Sequence, residues 1–317
     1  MNTIGIPSVD LADFLSGDQN RKQKFVQELG HAYEEVGFVA VKNHTLSDEL
    51  SKRLYDEVKH FFSLPLETKL TYEVSGLSGQ RGYTSFGKEH AKGRSEGDLK
   101  EFWHFGQYVE DNDPIKNQYP DNVDVKELPV FNQSGKEAYQ ALEKTGQHML
   151  RALAIYLNLD EFYFDDKIHN GNSILRPIHY PAITHEPKSA VRAAEHEDIN
   201  LITLLMGASS EGLEVLNKKG EWIAVTALPN QLVVNVGDML QRLTNNKLKS
   251  TTHRVVNPPK EKWSQPRFSI PFFLHPRSEM RLDCLPSCIS ESNPIHYTPI
   301  SGGEYLDERL REIGLKK

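Results

Sequence analysis

The chain has 317 residues, of which 38% are hydrophobic and 26% are charged, the composition of an ordinary soluble globular protein. Its formal net charge of -7 provides no excess of positive charge to attract a phosphate backbone, so we expect no nucleic-acid partner. The apolar runs are far shorter than the roughly 20 residues that cross a bilayer, and the first residues lack a signal-peptide pattern. A cytoplasmic protein without a membrane partner is therefore expected.

The first half of the chain is predicted to be mostly helical. Apolar residues recur at helical spacing over 18–36, and a short strand is predicted directly afterwards, over 37–41. Ser47 is typical of a helix N-cap and predicts the start of a second helix. The polar, glycine-bearing stretch 75–98 has little periodicity and predicts a long loop, whereas the pattern over about 134–157 predicts one long amphipathic helix.

The second half changes character from residue 174 onward. Short β-branched and apolar runs, typical of strands, alternate with turn residues. These runs are 201–206, 213–216, 222–225, 231–236, 250–256 and 267–274. The sequence NKKG at 217–220 predicts a hairpin turn, and Asp238 is expected to cap a short helix. Many short strands in one region predict a sandwich or jelly roll.

No linker separates the helical half from the strands, so we predict a single domain over 1–317. Its parts are an N-terminal region of helices and edge strands over 1–120, a β core over 174–280 and a C-terminal helix over 300–317. The fold class is mainly β with α, the N-terminal and central helices flanking the core. Cys284 and Cys288 are the only cysteines, and we expect them to be reduced thiols.

A candidate metal site starts at His196 and Asp198, which stand two residues apart in a predicted extended segment. Residues at this spacing point to the same side of a strand, and His253 lies in another predicted strand. Two imidazoles and one carboxylate leave about three coordination positions open, as in non-heme Fe(II) oxygenases. Because the chain has 13 histidines, such a pair also arises by chance, and simple hydrogen bonding in a loop is the alternative.

A second candidate site is the pair Arg267 and Ser269, which face the same way in the last predicted strand. The arginine offers a rigid bidentate fork for a carboxylate, and the serine adds a hydroxyl donor beside it. The alternative for Arg267 is a structural ion pair that closes the barrel.

Four segments occur in a recognisable order: HED, GLEVLNKKGEWIAV, LVVNVGDMLQRLTNNKLKSTTHRV and RFS. Together they resemble the isopenicillin N synthase-like family of Fe(II) and 2-oxoglutarate-dependent oxygenases. The segments IPSVDL and GFVAVKNH are similar to the N-terminal region of that family, and GYTSFGKEHAKG is similar to its bacterial members. The resemblance therefore covers nearly the whole chain.

This resemblance implies a distorted double-stranded β-helix with a metal and a cosubstrate site. His196, Asp198 and His253 match the iron ligands of the family. Arg267 and Ser269 match the pair that binds the distal carboxylate of 2-oxoglutarate.

Further site residues follow from the same comparison. Tyr180 matches a tyrosine that often hydrogen-bonds the cosubstrate, although many plant members have asparagine where this chain has Ile178. Phe102 and Trp103, from their place in the resembling segment, and Phe273, from strand alternation, are candidate walls of a substrate pocket. Core packing is the alternative for all three.

The function implied is that of an enzyme using Fe(II), O2 and 2-oxoglutarate to oxidise, and by default to hydroxylate, a small organic substrate, with release of succinate and CO2. One alternative is an Fe(II) oxidase of the isopenicillin N synthase type, in which Arg267 and Ser269 bind the carboxylate of the substrate itself. Others are a non-catalytic metal- or ligand-binding β-helix protein and a zinc hydrolase. The sequence specifies neither the substrate nor the oligomeric state.

Overall fold

The computed structural model describes residues 6–77, 79–89, 97–187, 190–207, 210–225 and 230–312. Its helices are α1 (Leu11–Phe14), α2 (Gln19–Glu35), α3 (Asp48–Ser63), α4 (Leu66–Leu70), α5 (Pro129–Tyr156), α6 (Asp165–Ile168), α7 (Asp238–Leu243) and α8 (Gly302–Glu312). Its strands are β1 (Ser8–Asp10), β2 (Phe38–Lys42), β3 (Gly82–Thr84), β4 (Glu101–His104), β5 (Ile174–Leu175), β6 (Ile178–Tyr180), β7 (Ala193–His196), β8 (Ile202–Met206), β9 (Leu213–Leu216), β10 (Trp222–Ala224), β11 (Leu232–Val236), β12 (His253–Val255) and β13 (Arg267–Leu274).

The N-terminal helices begin where the sequence predicts. The Asp18 carboxylate accepts hydrogen bonds from the backbone N–H of Asn20 at 2.8 Å and of Arg21 at 3.2 Å, which caps α2. The Ser47 hydroxyl accepts from the Leu50 N–H at 3.2 Å and caps α3. These bonds satisfy N–H groups that have no partner within the helix. Both predicted helix starts are confirmed.

The structure corrects two other predicted boundaries. Helix α5 starts at Pro129, before the predicted residue 134, because proline is well suited to the first helical position, where no N–H is needed. Asp238 is not an N-cap, since Gly237 holds that position. The Asp238 carboxylate instead accepts a hydrogen bond from the Tyr305 hydroxyl at 2.9 Å, in a contact between α7 and α8.

The predicted loop over 75–98 is interrupted by strand β3, which pairs antiparallel with β4. Residues 78 and 90–96 of that stretch lie outside the described part of the chain. The prediction of a continuous loop is therefore wrong for 82–84, because a three-residue strand is too short to produce a visible hydrophobic alternation.

Two sheets of short, mostly antiparallel strands form the core. The larger sheet runs β1-β2-β11-β8-β13-β6-β4-β3, with β5 also on β13, and the smaller sheet runs β10-β9-β12-β7. Strands β9 and β10 form the predicted hairpin, in which Gly220 has a φ of +76° that glycine adopts without strain. Strand β13 spans the predicted residues 267–274 and pairs with both β6 and β8.

The long helix α5 packs against the larger sheet and against α2 and α3. The Tyr139 ring meets the Phe272 ring edge-on, with centroids 5.0 Å apart. Gly146 lets the helix approach the sheet closely, because a Cβ at this position would lie 2.3 Å from a methyl carbon of Leu274. Helix α5 therefore covers one face of β13.

Two further observations concern membrane-spanning helices and the two cysteines. Within the described ranges, no helix combines the length and the apolar character that crossing a membrane requires. Cys284 and Cys288 are free thiols, as predicted.

Candidate active site

The structure brings the three predicted metal ligands together at the edge of the smaller sheet. Strands β7 and β12 are antiparallel neighbours, and their register places His253 directly opposite His196. Asp198 Oδ1 lies 3.8 Å from His196 Nε2 and 3.6 Å from His253 Nε2. Ligand atoms of all three side chains lie within 4.8 Å of one another. Strand β7 ends at His196, so Asp198 reaches this point from the turn that follows rather than by strand alternation.

Backbone carbonyls set the orientation of both imidazoles. His196 Nδ1 lies 2.7 Å from the carbonyl oxygen of Ala194, and His253 Nδ1 lies 3.1 Å from that of Thr251. A carbonyl oxygen only accepts, so Nδ1 carries the proton in each ring and Nε2 keeps its lone pair. Both lone pairs are therefore available to a metal ion beside Asp198.

The Asp198 carboxylate is held by polar side chains that the sequence interpretation did not single out. Its Oδ2 accepts from the Thr203 hydroxyl at 2.6 Å and from Asn235 Nδ2 at 2.8 Å, while Asn200 Nδ2 donates to Thr203 Oγ1 at 2.8 Å. All these groups are buried. The signal that could have found them is a polar residue inside an apolar strand, such as Asn235 in LVVNV, since a buried polar group needs a partner.

The surroundings keep His196 and Asp198 in the protonation states that bind metals. Desolvation by the surrounding protein and the neighbouring His253 lower the pKa of the His196 imidazole to about 4. Burial raises the pKa of Asp198, but the two imidazoles and the hydrogen bonds from Asn235 and Thr203 outweigh burial and lower it overall. At neutral pH the site thus offers a neutral imidazole from His196 and a carboxylate from Asp198. Two imidazoles and a carboxylate, without thiolate, suit Fe(II).

We expect Thr203→Val to weaken Fe(II) binding by about 10- to 100-fold, the range typical for residues that orient metal ligands. The substitution removes one of the two hydrogen bonds that turn Asp198 Oδ1 toward the imidazoles. Anaerobic titration with Fe(II) against a coloured chelator measures the effect. Thr84→Val is the matched control, because Thr84 is equally buried and its hydroxyl has no partner in the described part of the chain. Equal affinities of the two variants would contradict this role of Thr203.

Arg267 lies at the start of β13 and is 1% exposed. Its Nε donates to the carbonyl oxygen of Ser210 at 3.2 Å, and its guanidinium lies 5.1 Å from the centre of the Tyr180 ring. Nη1 is buried without a hydrogen-bond partner, and the arginine forms no ion pair with any carboxylate of the described residues. The structural ion pair proposed as the alternative is thus not found there. A buried, unpaired donor is costly, and a bound carboxylate would satisfy it.

One cavity of about 580 Å³ connects the two candidate sites. It is lined by the three metal ligands, by Arg267 and Ser269, and by Tyr180 and Phe273. The predicted metal, cosubstrate and Phe273 positions therefore face a common space. Helix α8 also contributes to the wall through Tyr305, Leu306 and Arg309, which the sequence interpretation missed.

Phe102 and Trp103 do not line this cavity. Trp103 is fully buried in the core, where its ring centroid lies 4.9 Å from that of Phe61 and 5.5 Å from that of Phe131. Phe102 is 1% exposed and lies beneath the guanidinium of Arg176 at 4.4 Å. Trp103 therefore packs in the core, which is the alternative given for it. Phe102 packs against Arg176, which lines the cavity, but Phe102 does not line the cavity itself.

Two protein families match the sequence. Residues 6–127 match the family described as the N-terminal region of a non-haem dioxygenase in morphine synthesis. Residues 171–276 match the 2OG-Fe(II) oxygenase superfamily and contain all three metal ligands together with Arg267 and Ser269.

Known proteins show the same similarity over almost the entire chain. A 2-oxoglutarate-Fe(II) type oxidoreductase of Emericella nidulans is 31% identical over 93% of this chain and 86% of its own. The crystal structure of a 2OG-Fe(II) oxygenase family protein from Caulobacter crescentus is 42% identical, with a TM-score of 0.87 over 97% of this chain and 99% of the other. A Neurospora crassa protein in complex with alpha-KG is 31% identical, with a TM-score of 0.85 over 98% and 97% of the two chains. These neighbours confirm the double-stranded β-helix.

Proposed function

Because the chain belongs to the 2OG-Fe(II) oxygenase superfamily, we propose that it hydroxylates a small organic molecule bound in the cavity beside His196, Asp198 and His253. The chain is a 2-oxoglutarate-dependent non-heme iron dioxygenase. One observation carries the proposal for its own residues: the metal triad and Arg267, which has no carboxylate partner among the described residues, line one cavity.

In this proposal His196, Asp198 and His253 hold the iron, each through the atom that its hydrogen bonds leave free. When bound, Fe(II) supplies the coupling of 2-oxoglutarate oxidation to the activation of O2, with succinate and CO2 as products. The protein supplies the position and orientation of the ligands. Buried Asn235 and Thr203 fix the Asp198 carboxylate, so its rotation costs two hydrogen bonds.

Arg267 and Ser269 are proposed to bind the carboxylate of 2-oxoglutarate that lies far from the metal. The Ser210 carbonyl and the Tyr180 ring hold the guanidinium in one orientation before the ligand arrives. Since little side-chain freedom remains to be lost, binding costs less entropy. The role of Tyr180 in this proposal is to support Arg267 through its ring face; its register partner on β13 is Arg267 itself.

A small organic substrate is supported by the size of the cavity and by the relatives. A volume of about 580 Å³ lies within the range of small-molecule sites. The Neurospora crassa relative has been solved with alpha-KG and thymine, and also with alpha-KG and 5-formyluracil. The oxidase alternative has less support, because relatives are named 2-oxoglutarate-dependent dioxygenases.

The test is a screen of small organic compounds with the enzyme loaded anaerobically with Fe(II) and then exposed to isotopically labelled O2. We expect a substrate to raise succinate formation and to yield, in equal amount, a product that carries one labelled oxygen atom. If succinate forms in the same amount as a product that is unlabelled and is unsaturated or cyclised, the reaction is a desaturation or a ring closure and not a hydroxylation. Failure of 2-oxoglutarate to bind the Fe(II)-loaded enzyme would contradict the proposed roles of Arg267 and Ser269.

A further inference from the structure

A cluster of buried charged side chains also lines the cavity. It consists of Glu89, Asp98, Lys100 and Arg176, which are all among the lining residues. Lys100 Nζ lies 2.6 Å from Glu89 Oε1 and 2.8 Å from Asp98 Oδ2, and Arg176 Nη1 lies 3.3 Å from Glu89 Oε2. The first three side chains are less than a tenth exposed, and that of Arg176 is 16% exposed. Burying charged side chains costs desolvation free energy, so such a cluster is unusual in a cavity wall whose role is packing alone.

The guanidinium of Arg176 is held in one orientation. Its central carbon lies 4.4 Å from the centre of the Phe102 ring and 5.0 Å from that of the Phe273 ring. Its Nε donates to His104 Nε2 at 2.5 Å. His104 can accept this bond because its Nδ1 donates to the carbonyl oxygen of Gly79, and because burial lowers its pKa well below the usual value and keeps it neutral.

One edge of Arg176 remains available to a ligand. Nε bonds His104 and Nη1 bonds Glu89, but Nη2 has no hydrogen-bond partner among the residues that the structure describes. Because Arg176 lines the cavity, the Nη2 hydrogens are accessible from it. A fixed donor of this kind recognises an acceptor atom at a defined position.

The charge balance of these four side chains indicates what that acceptor is. Within the described residues, the cations Lys100 and Arg176 pair with the carboxylates Glu89 and Asp98, so the formal charges of these four groups cancel. Burial would raise the pKa of Glu89, but Arg176 and Lys100 hold it well below its ordinary value, so this carboxylate stays charged. A bound anion would upset this balance in a buried place, where an uncompensated charge is unfavourable. An uncharged acceptor such as a carbonyl oxygen leaves the balance intact.

The site of Arg267 provides the contrast within the same cavity. Arg267 forms no ion pair with a described carboxylate and therefore carries an uncompensated charge that suits an anion. The charge of Arg176 is compensated by Glu89, so what Arg176 provides to a ligand is the Nη2 hydrogen-bond donor. The cavity thus separates one position for a carboxylate from one position for a neutral oxygen.

We propose that Arg176 is a specificity-determining residue that donates a hydrogen bond from Nη2 to a carbonyl oxygen of an uncharged organic substrate. Phe273, which lines the cavity beside it, provides an apolar wall for the body of that molecule. This inference rests on the proposed function, because it assigns the substrate class to the same cavity.

The test uses matched pairs of probes that share a skeleton: nicotinamide and nicotinate, and benzamide and benzoate. With the Fe(II)-loaded, 2-oxoglutarate-bound enzyme, we measure probe binding by the change in the visible spectrum of the metal and turnover by succinate release. We expect the uncharged carbonyl members to bind and stimulate succinate release, and the carboxylates to do neither. A preference for the carboxylates, or failure of every uncharged probe, would overturn the inference.

The variant that tests Arg176 itself is Arg176→Lys, which retains the positive charge for Glu89 but removes the Nη2 donor. We expect the KM for the best uncharged probe to rise about 10- to 100-fold, as for loss of a hydrogen bond to a charged donor. Titrations of Fe(II) and of 2-oxoglutarate should match those of the wild type. Arg151→Lys is the control, since Arg151 pairs with Asp165 outside the cavity. An unchanged KM in Arg176→Lys would overturn the inference, whereas loss of Fe(II) or 2-oxoglutarate binding by the wild type would instead contradict the proposed function.

Discussion

His196→Ala is expected to lose tight Fe(II) binding and to reduce substrate-dependent succinate formation by at least about 10³-fold. The substitution removes a direct ligand, so its effect should exceed the 10- to 100-fold typical of outer partners. Folding should survive, because the His196 side chain is 39% exposed toward the cavity and its one protein partner in the described contacts besides the other ligands is the Ala194 carbonyl. Anaerobic Fe(II) titration and a coupled succinate assay measure the two losses.

His60→Ala is the control for this experiment. The His60 side chain is 63% exposed on α3 and pairs with Glu57, away from the cavity. It should bind Fe(II) and turn over 2-oxoglutarate like the wild type. If His196→Ala also bound Fe(II) with unchanged affinity while its thermal unfolding was unaltered, the triad of His196, Asp198 and His253 would not be the metal site.

Arg267→Leu is expected to raise the KM for 2-oxoglutarate by about 100-fold or more, since loss of one partner of a buried charge pair costs about 2–5 kcal/mol. Ser269→Ala should raise it by less than about 10-fold, because a neutral hydrogen bond contributes about 1 kcal/mol. Steady-state kinetics of succinate formation, with 2-oxoglutarate varied at saturating Fe(II), measure both values.

Thermal unfolding separates the two interpretations of Arg267. Arg267 Nη1 is buried without a hydrogen-bond partner among the described residues, so leucine removes a desolvated donor and should not lower the free energy of unfolding by much. A structural arginine that closed the barrel would show the opposite pattern: a marked loss of stability with an unchanged KM. Arg151→Leu provides the reference, because it breaks the ion pair with Asp165 and should leave the KM for 2-oxoglutarate unaltered.

The sequence alone predicted several local features of this protein correctly. The Ser47 cap and the strand over 267–274 depend on neighbours in the chain, and the spacing of apolar and turn residues shows them directly. The metal ligands could also be predicted from the sequence, because residue type limits which side chains bind Fe(II). The similarity to a known family identified the distant His253.

Tertiary structure decided which polar side chains support the site. Nothing near Asp198 in the chain indicates that Asn235, 37 residues away, bonds its carboxylate. Likewise, the distance in sequence between Glu89 and Arg176 hides their ion pair, and only the fold shows that both line the cavity. Long-range pairs of this kind follow from strand order and register, which local periodicity does not specify.

The metal triad likewise depends partly on the sequence and partly on the fold. Residue types and spacing indicated an iron site, but the antiparallel pairing of β7 with β12 placed His253 opposite His196. The fold also decided that Trp103 packs in the core and that Arg267 has no carboxylate partner within the described residues. The physical reason is that burial and charge compensation depend on all the segments that surround a side chain, and the sequence shows only two of its neighbours.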